Sequence, residues 1–322
     1  MAAAQPAADR AGSLMPAIFD ILAPVIAMIA VGYVLARTAI VTPAGEAGLS
    51  AVVFYVTTPA LLLRAMAGAA PGAADLAVMA AYFMPCLLLY AVWVIVARRR
   101  SGGGLGMAGI GAMGACFGNT VLLGVPIVDR LYGAPGLRLL VMIVSIHSAI
   151  LFTTTAVLLE ADRGRVDGRA ALAIAARTVT GNPIVLSIFT GAAIALCGIT
   201  LPPSVDATLG LLGAATTPIA LIAVGTSLSG FGVRGLLAPC AAISAAKLVA
   251  LPLAVWTSCR FLFGLDDLAV AVATLTAALP SGTNVHVLAR RHDVGVETAA
   301  GAIFASTLAA GATVPLAMLL LR

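Results

Sequence analysis

Between Leu105 and Leu131 the chain is apolar for long enough to cross a bilayer, yet Asn119, Gly124 and Pro126 interrupt the run. Proline has no amide hydrogen to donate and clashes with the carbonyl four residues back, so a helix must kink or break there. In hydrocarbon the freed backbone groups need partners from packed protein or a wet cavity. A second apolar run, from about Leu268 to Ala289, carries Pro280, Gly282, Thr283, Asn284 and His286. Gly118-Asn119-Thr120-Val121 and Gly282-Thr283-Asn284-Val285 share composition but not order, and the prolines fall on opposite sides of the asparagine. Either run alone reads as a kinked helix with a structural asparagine. As a pair they match the way broken membrane helices build a binding site at mid-depth.

Similar runs make up the rest of the chain. Of its 322 residues 10% are charged, where a soluble domain has about a quarter. Windows of about 20 apolar residues predict ten spans, roughly 16–36, 47–67, 75–97, 105–131, 136–159, 171–198, 207–229, 235–263, 268–289 and 298–321. The sixth can also begin at Asn182-Pro183. The expected fold class is an all-α polytopic membrane protein. Residues 1–15 form a short tail without the basic-then-apolar pattern of a cleaved signal. The net charge of +5 is spread over short loops and points to no nucleic-acid partner.

Ten spans put both termini on one side. Eleven arginines fall in loops after odd-numbered spans, including Arg98, Arg99, Arg100 and Arg163, and six fall on the other side. The positive-inside rule makes the odd loops cytoplasmic and both termini outside, in the cytoplasmic (inner) membrane.

The spacing also repeats. Gly32 to Pro59 and Gly191 to Pro218 are both 27 residues, with Thr57-Thr58-Pro59 matched by Thr216-Thr217-Pro218. Each proline is followed by one of the only two tryptophans, Trp93 and Trp256, and then by Asn119 or Asn284 at near-equal spacing. This order predicts a duplicated five-span unit. Five is odd, so the second unit enters from the opposite side, giving an inverted 5+5 repeat whose broken helices 4 and 9 cross near the midplane. The expected units are a tail (1–15), a first five-helix repeat (16–159), a cytoplasmic linker that can include the start of helix 6 (160–177) and a second repeat (178–322). Half-helix N-termini facing one cavity suit an anion, and a carboxylate fits well.

No nucleophile elbow, Walker loop or zinc pattern appears, so no enzyme and no cofactor is expected. The five cysteines lie in or beside apolar spans without paired spacing and read as small buried residues. The three histidines show no metal-ligand spacing.

At Phe54-Tyr55-Val56 with Pro59-Ala60-Leu61, Gly118-Asn119 through Leu123-Gly124-Val125-Pro126, Gly181-Asn182-Pro183, Pro218-Ile219-Ala220-Leu221, Lys247-Leu248-Val249 with Pro252, and Pro280 with Asn284, the sequence resembles the auxin efflux carrier family. That family includes plant PIN proteins and bacterial malonate-carrier-like members. The resemblance runs from Met15 to Leu321. It implies crossing helices 4 and 9, a scaffold of helices 1, 2, 6 and 7, a moving transport part, a homodimer, and organic-anion substrates such as indole carboxylates or small dicarboxylates. The long regulatory loop of plant PINs is missing, so phosphorylation control does not carry over.

The residues expected at a substrate site are Asn119, Asn284, Lys247, Thr120, Thr283 and His286. Asparagine can both donate to a carboxylate and brace freed backbone. Lys247, the only lysine, sits inside the eighth span, where a charge is costly. It could neutralise a substrate, stand in for a coupling cation or hold the crossing by bonding freed carbonyls. Gly118, Gly124, Pro126, Pro280, Gly282, Pro59 and Pro218 read as architectural. His147 and Asp129 are candidates for carrying a coupling proton, against plainer roles as a core histidine and a solvated loop pair with Arg130. The expected function is alternating-access transport of small organic anions. The rivals are a sodium-coupled carrier of the bile-acid-symporter type, which needs more acidic or amide ligands than this chain has, and a membrane sensor that binds without transport.

Overall fold

A computed structural model describes residues 23, 24, 26–68, 73–164, 181, 183–228 and 237–321, giving only the backbone at a few of them, Pro126 and Asp129 included. The tail, Asp20, most of the linker and Asn182 lie outside the described residues. The helices are α1 (Ile26–Arg37), α2 (Pro43–Ala67), α3 (Ala73–Ser101), α4 (Leu105–Cys116), α5 (Val125–Asp162), α6 (Pro183–Leu196), α7 (Pro203–Ala214), α8 (Thr216–Leu228), α9 (Ala238–Leu262), α10 (Asp267–Ala278), α11 (Asn284–His292) and α12 (Val296–Leu320).

Among the described residues six stretches are long and apolar enough to cross a membrane: α2, Leu76–Arg100 in α3, Pro135–Asp162 in α5, Pro203–Ala223 through α7 and α8, α9 and α12. The other four expected windows hold shorter apolar helices, Ile26–Arg37, Leu105–Cys116, Leu186–Leu196 and Asp267–Ala278. Two of these are short because the chain breaks in mid-window, and two begin beside undescribed residues. Exposed apolar side chains such as Leu211, Phe261 and Leu320 form the kind of surface that lipid covers.

Proline accompanies most of the helix irregularities. π turns at Val53–Thr57, Thr120–Gly124 and Ala246–Ala250 each end two residues before a proline, Pro59, Pro126 and Pro252. The Thr58 N–H reaches the Val53 carbonyl, Leu251 reaches Ala246, and Gly124 reaches Asn119, each five residues back. One extra residue in the turn eases the clash between the ring and the preceding carbonyl. Gly133, at φ 60°, bends α5 just before Pro135.

Two packing groups result. The second half of α2 packs with α6 and α7, and α8 lies on the first half of α2; α3, α4, α5, α9, α10 and α12 pack mainly with one another. α11 rests on α4 and α12. α1 joins the first group through glycine: a Cβ on Gly32 would overlap the Ile222 carbonyl of α8, and one on Gly225 would overlap the Ile29 carbonyl. α6 meets α2 similarly, since a Cβ on Gly191 would lie 2.6 Å from the Leu63 carbonyl oxygen.

Charged groups tie the helix ends. Asp162 accepts from the Leu105 N–H at 2.6 Å, placing an acid at the positive end of α4. Glu160 pairs with Arg163 at 3.0 Å, and Arg163 donates to the His292 carbonyl at 3.1 Å. Burial, and then Arg163, push the His292 imidazole below its ordinary range. On the opposite end of α2, Arg64 grips Asp206 of α7 with two bonds of 2.7 and 3.0 Å. Four cysteines are buried as expected, but Cys197 is exposed, because α6 ends at Leu196 and the positive-φ Gly198 turns the chain outward.

The glycine contacts make a testable contrast. Gly225→Ala should lower thermal stability in detergent by about 1–3 kcal/mol, since two backbones must part. Gly48→Ala, where an added Cβ meets nothing within 4 Å, should leave stability unchanged or raise it by up to about 1 kcal/mol. Equal melting temperatures for the two variants would contradict this packing.

Candidate functional site

The two helix breaks meet each other. α4 ends at Cys116 and Phe117 turns extended; α10 ends at Ala278 and Leu279 does the same. The Asn119 N–H donates to the Pro280 carbonyl at 2.7 Å and the Gly282 N–H to the Phe117 carbonyl at 2.8 Å. These bonds form a short antiparallel bridge between Gly118 and Ser281. Gly282 is needed here, because a Cβ would lie 2.8 Å from both the Gly118 carbonyl oxygen and the Phe117 ring. The Ser281 hydroxyl donates to the Gly114 carbonyl at 2.7 Å, and its N–H to the Ser306 hydroxyl at 3.1 Å.

Four half-helix ends therefore converge. α4 and α10 bring their C-terminal ends, whose last carbonyls carry partial negative charge. The Thr120–Gly124 turn leading into α5, and α11, bring N-terminal ends with partial positive charge. Lys247 is fully buried and its ammonium donates to the Ala277 carbonyl in the last turn of α10. It also lies against Gly118, where a Cβ would sit 3.3 Å from Nζ.

On the N-terminal side lies a cavity of about 30 Å³. Asn119, Thr120, Thr283 and Asn284 line it, facing Thr58 and Thr216 across it. Among the described residues neither asparagine side chain has a hydrogen bond, and the buried Thr216 hydroxyl has no partner. The structure thus brings together four of the six residues expected at the substrate site.

The other two lie elsewhere. Lys247 is not part of the cavity wall; it holds the opposite face of the junction. His286 lines a separate cavity of about 20 Å³ with Ser50, Val53, Ala223 and Thr283. His147 packs among Phe117, Tyr82 and Phe83, at ring-centroid distances of 4.8, 5.6 and 5.9 Å. Asp129's side chain and Pro126's ring lie outside the described atoms. Gly124 approaches Leu279, and Pro59 and Pro218 lie just beyond the cavity threonines.

Thr58 and Thr216 were not expected at the site. Their signal was the repeated Thr-Thr-Pro, read above only as a landmark of duplication. A third cavity, of about 390 Å³, lies between Arg64 and Asp206 on one side and Leu137, Leu140 and Val144 of α5 on another. Leu62 borders both this cavity and the central one, while Val53, Ala220 and Thr283 border both the central and the His286 cavities. The three hollows follow α2 from Ser50 to its C-terminal end.

Comparisons with known proteins identify the family. Residues 17–318 match the family model described as "Membrane transport protein". A protein of Rhizobium meliloti (strain 1021) named "Putative malonate transporter" is 26% identical over 316 residues, covering 96% of this chain and 97% of its own length. An "Uncharacterized transporter" of Methanothermobacter thermautotrophicus is 25% identical over 294 residues, 91% of this chain and 94% of that protein. With nearly its whole length matched, the chain belongs to the membrane transport protein family, the auxin efflux carriers it resembles in sequence, and is a transporter rather than an enzyme.

Proposed function

We propose that this transporter carries small organic anions by alternating access at the junction of its broken helices. The observation that carries the reading is the segregation of charge there. Amide and hydroxyl donors and two helix N-termini face the cavity, while Lys247 compensates the C-terminal ends behind it. A carboxylate suits such a cavity because each of its oxygens accepts several hydrogen bonds. The name of the Rhizobium relative favours a short dicarboxylate such as malonate.

The central cavity, at about 30 Å³, has room for little more than ordered water. A dicarboxylate therefore requires a wider state, and the described conformation is a closed one. In this reading α1, α2, α6, α7 and α8 are the scaffold and the remaining helices move against it. The hollows along α2 mark the interface that opens, with Leu62 as the constriction toward the Arg64 end.

Halves 16–159 and 178–322 are proposed as the inverted repeats. Two contacts support this. Gly32 packs on Ile222, four residues after Pro218, and Gly191 packs on Leu63, four residues after Pro59. The duplication would exchange the two. The shorter apolar helices would then complete ten crossings, with both termini outside the inner membrane and a second copy as dimer partner. Lys247 also bears on the sodium-coupled rival, since an ammonium already neutralises the carbonyl ends that a bound sodium ion would otherwise serve.

Uptake of labelled malonate, other short carboxylates and indole acetate into proteoliposomes, with pH, sodium and voltage set independently, tests the reading. Saturable uptake is expected, and Asn119→Ala should lower it about tenfold or more, the effect of one lost hydrogen bond to a charged group. Wild-type uptake retained in Asn119→Ala would move the site elsewhere. Binding without uptake under any gradient would favour the sensor.

Lys247→Met tests the separate role given to the ammonium. It should remove uptake and also lower thermal stability by about 1–3 kcal/mol, because the Ala277 carbonyl is left without its donor. Lost uptake at an unchanged melting temperature would instead place the ammonium on the substrate.

A further inference from the structure

We propose that the hollow of about 390 Å³ at the Arg64 end is a second ligand site. It takes a monocarboxylate with an apolar body, which then holds α2 and α5 at a fixed spacing. The site stands on its own geometry, and its effect on uptake rests on the carrier reading above.

Small-molecule sites run from about 300 Å³ upward and are mostly apolar, with a few placed polar groups. A dry cavity of about 150 Å³ already holds benzene, so an aryl ring with a short chain fits this one. Leu62, Met66, Leu140 and Val144 are buried around the hollow, and Val141 is partly exposed there. Water finds few partners on such walls, whereas a hydrocarbon body gains dispersion contacts along them. Malonate suits this hollow poorly, because its short body carries a charge at either end. The central cavity differs, being lined by amides and hydroxyls.

Among the described residues of the wall, Arg64 and Asp206 are the charged pair. Arg64 Nε and Nη2 donate to Asp206 Oδ1 and Oδ2 at 2.7 and 3.0 Å. Both carboxylate oxygens thus have a donor, but a guanidinium has five N–H groups and this pair uses two. The remaining N–H groups, on Nη1 and Nη2, form the edge that a second carboxylate grips with two parallel bonds. Gly210 stands beside Nη1, where even a Cβ would come within 3.4 Å, so no side chain from that position claims it. Asp206 fixes the direction of the fork, and the start of α7 offsets part of its negative charge. The two side chains are 49% and 42% exposed, so an anion reaches Arg64 from water. A carboxylate on the guanidinium and an apolar body against the leucines use both parts of the hollow at once. α2 and α7 pack in one group and α5 in the other. A ligand touching both groups fixes the spacing that alternating access must change.

Labelled 4-phenylbutyrate tests this, its binding measured on the protein in lipid nanodiscs with empty discs subtracted. Saturable binding is expected. Arg64→Gln should weaken it about threefold or more, the effect of a partly exposed charge pair. The uncharged 4-phenylbutyramide should bind the wild type with a similar loss. Val141→Trp should abolish binding by filling the hollow; Arg64→Gln and the amide still decide if that variant does not fold. Asn119→Ala should bind within about twofold of wild type, because the change lies in a separate cavity. In proteoliposomes the acid should suppress malonate uptake, and Arg64→Gln should need several-fold more of it for the same suppression. No saturable binding to the wild type would overturn the inference. So would binding that Asn119→Ala removes while Arg64→Gln and Val141→Trp retain it, which places the acid in the central cavity. Saturable binding with malonate uptake undiminished would overturn the fixed spacing. Absence of malonate uptake in the wild type would count against the substrate reading alone, since binding still decides the second site.

Discussion

Two backbone hydrogen bonds, Asn119 to Pro280 and Phe117 to Gly282, hold the centre of this protein together. A helix broken inside hydrocarbon exposes amide and carbonyl groups that water cannot reach, each costing several kcal/mol if left alone. Neither break could persist by itself. Placed against each other in extended conformation, each serves the other's backbone, and Ser281, Ser306 and Lys247 take up further groups at the same point. The requirement that both breaks exist together explains why the chain carries two interrupted apolar runs, and why a glycine stands at each side of the bridge.

The same arrangement sorts charge without using an acid. Helices that end at the bridge point carbonyls to one face, and helices that begin there point N–H groups to the other. The ammonium of Lys247 sits with the carbonyls. An ion-pair partner would serve it no better in low dielectric, since burying a second charge carries its own desolvation cost. The opposite face is left with unfilled donors and a small cavity, the feature on which the proposed anion site rests.

Much of this was legible in the sequence because proline and glycine act locally. Pro126 and Pro280 announced the breaks, and the paired spacing of Gly32 with Pro59 and Gly191 with Pro218 marked positions that the structure uses in helix contacts. What the sequence withheld was direction. Lys247 could be seen to lie in a span, but which face of the junction it served depended on the packing of α9 against α10, a contact 30 residues apart in the chain. Glu46 gave no signal of its contact with His286 and Arg290, since an acid in the first turn of a helix ordinarily answers the helix dipole and these two described partners lie more than two hundred residues away. The span count was limited in the same way. A window of hydropathy cannot tell a helix that crosses from one that stops halfway and turns.

Which interface can slide follows from how the helices touch. Where glycine brings backbones together, as between α1 and α8 or α6 and α2, a Cβ has no room, and the closely packed backbones resist shifting. Along the face of α2 that looks toward the junction, contact is instead interrupted by three hollows. Side chains such as Leu62 and Val53 separate the hollows, and side chains can rotate or part at far smaller cost than packed backbone. Rigid contacts are thus concentrated within one group of helices and loose ones between the two groups. For the alternating access proposed above, this distribution would let the broken helices keep their mutual bridge and move as a unit, with opening confined to the surface where the packing is already incomplete.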